Sequence, residues 1–204
     1  MIKHQNLKKK KVVMTEVEKK EVKAIIGLGN PGVQYTNHRH NIGFRIIDAI
    51  AEDFSATWLP ADKMLVTQIS VQPKMEEGSE VFSLGREVYL IKPQTFMNSS
   101  GKVVPFLAKK GIKPEEILVI HDDLEKKFGN LIMRLGGSAR GHNGLRSIID
   151  VMGQDFWRFR FGIGRPDRKE EVPDYVLSNF TPEEEKHLPL LVEQAVALIK
   201  DFLS

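Results

Sequence analysis

Short apolar runs that end in glycines or acids alternate along this chain with segments in which large aliphatic residues recur every three or four positions. Ala24-Ile25-Ile26-Gly27 is apolar throughout and reads as a strand buried on both faces. Ile42, Ile46, Ile50 and Phe54, joined by Ile47, form one face of a helix over about 41–54. Met64 to Val71 reads as a strand, and Val81 to Leu84 and Glu87 to Ile91 flank Gly85-Arg86 as a hairpin. Asn98 or Ser99 is expected to cap a helix that runs to about Lys110 and stops at Gly111. Further strands are expected at Ile117 to Ile120, Leu131 to Leu135 and Arg158 to Ile163. Leu145, Ile148, Ile149 and Met152 mark another helix. Thr181-Pro182-Glu183-Glu184 is a capping box, and the helix it opens carries the stripe Leu188, Leu191, Ala195, Ile199 and Phe202. Strands that alternate with helices predict an α/β fold: one sheet with helices on both faces, in three layers. The hairpin makes that sheet mixed.

The chain is 204 residues long, which suits one domain. It has no cysteine, which excludes disulfides, thiolate metal sites and a cysteine nucleophile. No stretch approaches the ~20 apolar residues that span a membrane. A net charge of +3 conceals a strong asymmetry. Residues 1–23 hold eight Lys against three Glu; residues 102–169 come to +6 and residues 170–204 to −6. Residues 1–22, poor in apolar side chains, read as a basic, disordered tail, and residues 23–204 as the folded body. A basic segment on a nearly neutral body suits a polyanionic partner such as nucleic acid.

Gly27-Leu28-Gly29-Asn30-Pro31-Gly32 satisfies the dinucleotide-binding pattern after a strand. Two features argue against that use. About eight residues separate the glycines from helical periodicity, whereas a dinucleotide loop passes directly into its helix. The acids ~20 residues on, Glu52 and Asp53, fall at the end of the first helix rather than of a second strand. Polar residues collect instead where strands end: Asn30, His40-Asn41, Asn98, Asp122-Asp123 and His142-Asn143. A histidine with carboxylates and amides at the carboxyl edge of an α/β sheet is the composition of a water-activating site. The spacing leaves open which of Asp122 and Asp123 faces His40. There is no H-E-x-x-H or other tight ligand spacing, so no metal site is expected.

The strings Gly-Leu-Gly-Asn-Pro-Gly at 27–32, Arg-His-Asn-Ile-Gly-Phe at 39–44 and Lys-Pro-Gln-Thr-Phe-Met-Asn-Ser-Ser-Gly at 92–101 occur in this order. His-Asp-Asp-Leu-Glu at 121–125, Gly-His-Asn-Gly-Leu at 141–145 and Phe-Gly-Ile-Gly-Arg-Pro at 161–166 follow. From about residue 23 onward the chain closely resembles bacterial-type peptidyl-tRNA hydrolases. The resemblance implies hydrolysis of the ester between a peptide and tRNA, without metal or organic cofactor, by a cytoplasmic monomer. It implies His40 as general base and Asp122 as the carboxylate that keeps it basic. Asn30 matches the asparagine that separates blocked from free aminoacyl-tRNA. Tyr35, Phe96, Asn98 and Asn143 match residues around the peptidyl-adenosine end, and Arg134 and Arg160 match a basic clamp for the tRNA 5′ phosphate. The chain departs from the family at His38, where Thr is usual, and at Glu125, where Asp is usual. At Ser138-Ala139-Arg140 it replaces a Gly/His-rich stretch, and Arg140 adds a charge on the tRNA side. His142 and His38 are expected beside the site in supporting roles, and His121 as a structural hydrogen-bonding residue. A non-catalytic RNA-binding relative of splicing-factor type is the alternative, and the intact His40, Asp122, Asn30, Asn98 and Asn143 weigh against it. An esterase for small substrates would leave the +6 segment without a use.

Overall fold

A computed structural model describes residues 21–72 and 85–204. These residues form one seven-stranded sheet in the order β2-β3-β4-β1-β5-β7-β6. The strands are β1 (Ala24–Gly27), β2 (Leu59–Ala61), β3 (Met64–Val71), β4 (Arg86–Pro93), β5 (Ile117–Asp123), β6 (Leu131–Leu135) and β7 (Trp157–Gly162). β1 lies at the centre, parallel to β4 and β5, and β5 is parallel to β7. The flanks are antiparallel: β3 runs against β4, β2 against β3, and β6 against β7. The sheet is therefore mixed, as expected. The antiparallel partner of Glu87 to Ile91 is Val66 to Ser70, with Arg86 inside the strand opposite Val71. The expected hairpin arm at 81–84 lies outside the described residues.

Successive residues of a strand face opposite sides, and that alternation sorts the core into two layers. Ile25, Leu118, Ile120, Phe159 and Phe161 pack under α1 (Ile42–Asp53) and α5 (Pro182–Leu203). Ala24, Ile26, Ile117 and Val119 pack under α2 (Val104–Lys109) and α3 (Asn143–Met152). The capping box opens α5 as expected: Glu184 N–H donates to Thr181 Oγ1 and Thr181 N–H to Glu184 Oε2. The short helix α4 (Val172–Val176) and strand β2 carry no periodic signal and were not expected.

Two expected boundaries move. The helix placed from Asn98 to Lys110 is a 3-10 run over Met97–Val103 followed by α2, and Phe96 occupies the N-cap position. Pro105 has no N–H to offer Gly101 O, which takes the Val104 N–H instead in the tighter 3-10 pattern. The run also lies directly on α3: a Cβ on Gly101 would sit 2.1 Å from Ser147 O. Val22, assigned to the tail by composition, packs with the body. Val22 is 1% exposed within the α1/α5 core, and Arg86 donates to Val22 O and Leu203 O, joining the two ends of the described body.

Candidate active site

Two strand ends and two helix starts converge at the carboxyl edge of the sheet. Asp122 is the last but one residue of β5 and sits at an even position, like Leu118 and Ile120, so its side chain emerges on the α1 side. His40 lies in the 3-10 turn Arg39–Asn41 that leads into α1. Gly43 brings the two together: a Cβ there would meet Ile120 O and Leu28 O, each at 2.5 Å, so only glycine lets α1 start directly on the strand backbones. His40 Nδ1 then lies 2.8 Å from Asp122 Oδ1.

A second imidazole shares that oxygen. His142, the N-cap residue of α3, has Nε2 3.0 Å from Asp122 Oδ1. Its Nδ1 accepts the Leu145 N–H, so the ring proton resides on Nε2 and is donated to Asp122. Burial by itself would raise the Asp122 pKa, but the charge and hydrogen bonds of His40 and His142 hold it well below the usual carboxylate range. The ionised Asp122 takes the His40 Nδ1 proton as a hydrogen bond and leaves His40 Nε2 with its lone pair. His40, Asp122 and His142 bring potential metal-ligand atoms within 4.8 Å of one another. Sequence spacing gave no hint of this grouping, because the three residues come from three distant turns. Hydrogen bonding nevertheless commits the facing nitrogens of both rings to one carboxylate oxygen.

Asp123 points the other way. Arg160 Nε donates to its Oδ2 at 2.5 Å, and Glu125 N–H donates to its Oδ1. Strand parity thus assigns Asp122 to His40 and Asp123 to Arg160, the choice that spacing left open. His121, 4% exposed, bonds through Nδ1 to Asp122 O. Burial first, and then the charge of His142, push its pKa down to about 3, so the ring is neutral.

Asn30 joins the loop after β1 to both neighbours. Its N–H donates to Asn41 Oδ1, its carbonyl accepts from Asn41 Nδ2, and its side-chain Oδ1 accepts the Met97 N–H. The Asn30 amide is thereby oriented with Nδ2 unused. Tyr35 and Phe96 meet edge to face with centroids 6.2 Å apart, and Phe96 is 59% exposed. Asn98 and Asn143 are exposed, in the 97–103 turn and at the start of α3. His38 does not reach the carboxylate. It bridges to Asn179, packs edge-on against Tyr35 at 5.4 Å, and has its pKa lowered by burial and by His40. Glu125 pairs with Arg165 at the surface.

His40, Asp122, Asn143, Arg134 and Arg160 line a single cavity of about 280 Å³. Asn30 instead lines an adjoining hollow of about 200 Å³ with Asn41 and Lys92. One wall of the cavity is a face of the β5-β7-β6 edge. Register explains its charge: Arg134 pairs with Arg158, and Arg160 with His121, so all four share that face. Trp157, Phe159 and Phe161 face the core on the other side. Arg134 is exposed. Arg160 is buried and held by Asp123, a placement its match to a phosphate clamp did not anticipate.

Two residues that position the site were not found from sequence. Arg39 is buried, donates two parallel bonds to Glu184 at 3.0 and 2.6 Å, and lies 4.4 Å over the Tyr175 ring. Its N–H donates to Ser178 O, which ties the turn bearing His40 to the α4–α5 connection. The partner is 145 residues away, so no local pattern marks it. Arg158 donates to Gly137 O and Ser138 O and fixes the loop before His142. The alternation Trp157-Arg158-Phe159-Arg160-Phe161 is the signal that would have found it.

The family model for peptidyl-tRNA hydrolase matches residues 24–204. The chain is 41% identical to peptidyl-tRNA hydrolase of Aquifex aeolicus over 181 residues, covering 86% of this chain and 87% of that one. It is 44% identical to the Desulfitobacterium hafniense protein of the same name, with 84% and 86% covered. Among solved structures, it superposes on peptidyl-tRNA hydrolase from Acinetobacter baumannii with a TM-score of 0.78 and 34% identity, covering 89% and 88% of the two chains. A variant of that protein gives a TM-score of 0.81 at 33% identity, with 90% and 89% covered. The chain belongs to the peptidyl-tRNA hydrolase family.

Proposed function

We propose that this protein cleaves the ester joining a peptide, or an N-blocked amino acid, to tRNA in the cytoplasm, acting as a monomer and without a metal or cofactor. The observation that carries this reading is the 2.8 Å contact between His40 Nδ1 and an ionised, buried Asp122. It leaves Nε2 facing the cavity as a base for water. An ester is activated enough to be attacked by water under general-base catalysis, so no covalent nucleophile is needed. His40 takes the water proton, and Asp122 stabilises the imidazolium. Asn143 and Asn98 hold the water and the developing oxyanion, a type of contact worth roughly 3–4 kcal/mol in comparable sites. Asn30 offers Nδ2 to the first peptide carbonyl, which a free aminoacyl group lacks. Tyr35 and Phe96 give rings on which the terminal adenine or peptide side chains stack. Arg134 binds the tRNA 5′ phosphate, and Arg160 assists with the N–H groups that Asp123 leaves.

Incubation with N-acetylated aminoacyl-tRNA and with its free-amine counterpart tests the reading. Release from the blocked form alone is the expected result. Retained tRNA binding with no release from either would favour the non-catalytic RNA-binding alternative.

A further inference from the structure

Arg140 is the cavity-lining arginine whose presence the fold does not explain. It lies in the loop from β6 to α3, two residues before His142 and three before Asn143. Its φ is 47°, in the left-handed region that glycine adopts freely and an arginine adopts with strain. It is exposed, and among the described residues it makes no ion pair or hydrogen bond. A strained and unpartnered cation at the mouth of a site invites a functional explanation.

The same wall supplies an independent observation. Arg158, 4% exposed, lines this cavity, yet its Nε is buried with no partner. The acids that line the cavity are already engaged: Asp122 by two imidazoles, Asp123 by Arg160 and Glu125 by Arg165. Arg134, Arg140 and Arg158 are left without a counter-charge among the described residues. Burial, and then the charges of Arg160, Arg134 and Arg140, push the Arg158 pKa down to about 10. An oxyanion seated between Arg140 and Arg158 would satisfy the free N–H and relieve the repulsion between these two groups. Both Nη groups of Arg158 hold Gly137 O and Ser138 O, so it offers Nε–H, while the exposed Arg140 offers a planar fork of paired donors that suits phosphate.

We propose that Arg140 and Arg158 form a subsite for a backbone phosphate in the single-stranded 3′ end of the RNA, a phosphate other than the 5′ one assigned to Arg134 and closer to the ester. The proposal rests on the hydrolase reading above, since it takes the acylated RNA as the occupant. Arg134 lies on the edge strand β6, whereas Arg140 adjoins the residues that contact Asp122 and the reacting end.

Three substrates with the same blocked ester separate the possibilities: full-length tRNA, an oligonucleotide of its last three nucleotides, and the terminal adenosine without phosphate. Arg140→Gly removes the charge and the strain together, so its melting temperature should equal or exceed that of wild type. It should raise KM about tenfold on the tRNA and the oligonucleotide, as loss of a charged hydrogen bond does. Turnover should stay within about twofold, and the adenosine ester should show no change. The salt dependence of binding should become shallower by about one unit. Arg140→Lys should recover part of the loss, and Arg134→Ala should act on the full tRNA only. A KM within about twofold of wild type on both phosphate-bearing substrates would overturn the subsite. So would an equal rise on the adenosine ester. If wild type releases nothing from any of the three, the hydrolase reading fails instead. Anisotropy of the labelled oligonucleotide on wild type and Arg140→Gly then reads the subsite by itself: a weakened Kd supports it, and an unchanged Kd overturns it.

Discussion

Asp122 receives two imidazoles through one oxygen, and the rings differ in what they can do afterwards. His142 is fixed at both nitrogens, by Asp122 and by the Leu145 N–H, so it holds the carboxylate in place. His40 is bonded at Nδ1 only and can accept a proton at Nε2. His121 gives the site a distinct pH signature. Its folded-state pKa of about 3 lies below its ordinary value of 6.5. Between those values the unfolded chain binds a proton that the native protein does not, so stability falls as pH drops from about 6.5 towards 3. Across that window this residue contributes about 4–5 kcal/mol to the fall. His121→Asn retains a donor for Asp122 O and cannot titrate. Its stability relative to wild type should rise by about 2 kcal/mol or more between pH 7 and pH 4.5, read by urea denaturation at each pH. An unchanged difference across that range would show that His121 titrates normally. The chemistry-bearing residue types were legible in the sequence because His, Asp and Asn cluster where apolar runs stop. The bonding of His142 to Asp122 was not, since it depends on where the loop after β6 returns.

At the scale of elements, the sequence showed period and punctuation well and long-range attachment poorly. The isoleucine period marked α1, the capping box marked α5, and apolar runs marked β1 and β5 to within a few residues. The 97–103 segment was read as helix because its caps and its glycine stop are helical signals. Pro105 and the close approach to Ser147 turn it into a 3-10 run that presents Asn98. Attachment by single side chains left no periodic trace, as Arg39 on Glu184 and Arg86 on Val22 O and Leu203 O show. Val22 carries a prediction of its own. Its side chain is buried with α1 and α5, although the surrounding composition is that of the tail. Val22→Ala should cost about 2 kcal/mol from lost burial and the void left behind. Deletion of residues 1–20 should leave the unfolding midpoint nearly unchanged, because no residue of the described core is removed. A deletion that unfolds the protein while Val22→Ala is neutral would place the stabilising contact in the tail instead.

On the scale of the whole molecule, the charge asymmetry of the sequence becomes an asymmetry of faces. The acidic last 35 residues form mainly α5, which packs with α1 on one side of the sheet. The arginines of β6, β7 and the loop after β6 lie on the other side, around a cavity that α3 and α4 also line. Strand alternation produces both the apolar core under α5 and the cationic wall opposite it. The different bonding of these arginines required register: Arg160 pairs with Asp123, while Arg134 and Arg140 make no ion pair among the described residues. The proposed function puts binding and chemistry on separate parts: an arginine wall for the polyanion and a His40–Asp122 pair for the ester. Single-turnover release from N-acetylated aminoacyl-tRNA, measured beside tRNA affinity, tests that separation most directly. His40→Ala and Asp122→Asn should each lower the release rate by about 10²-fold or more, with Kd for tRNA within about threefold of wild type. Release within about tenfold of wild type in either folded variant would contradict the general-base account.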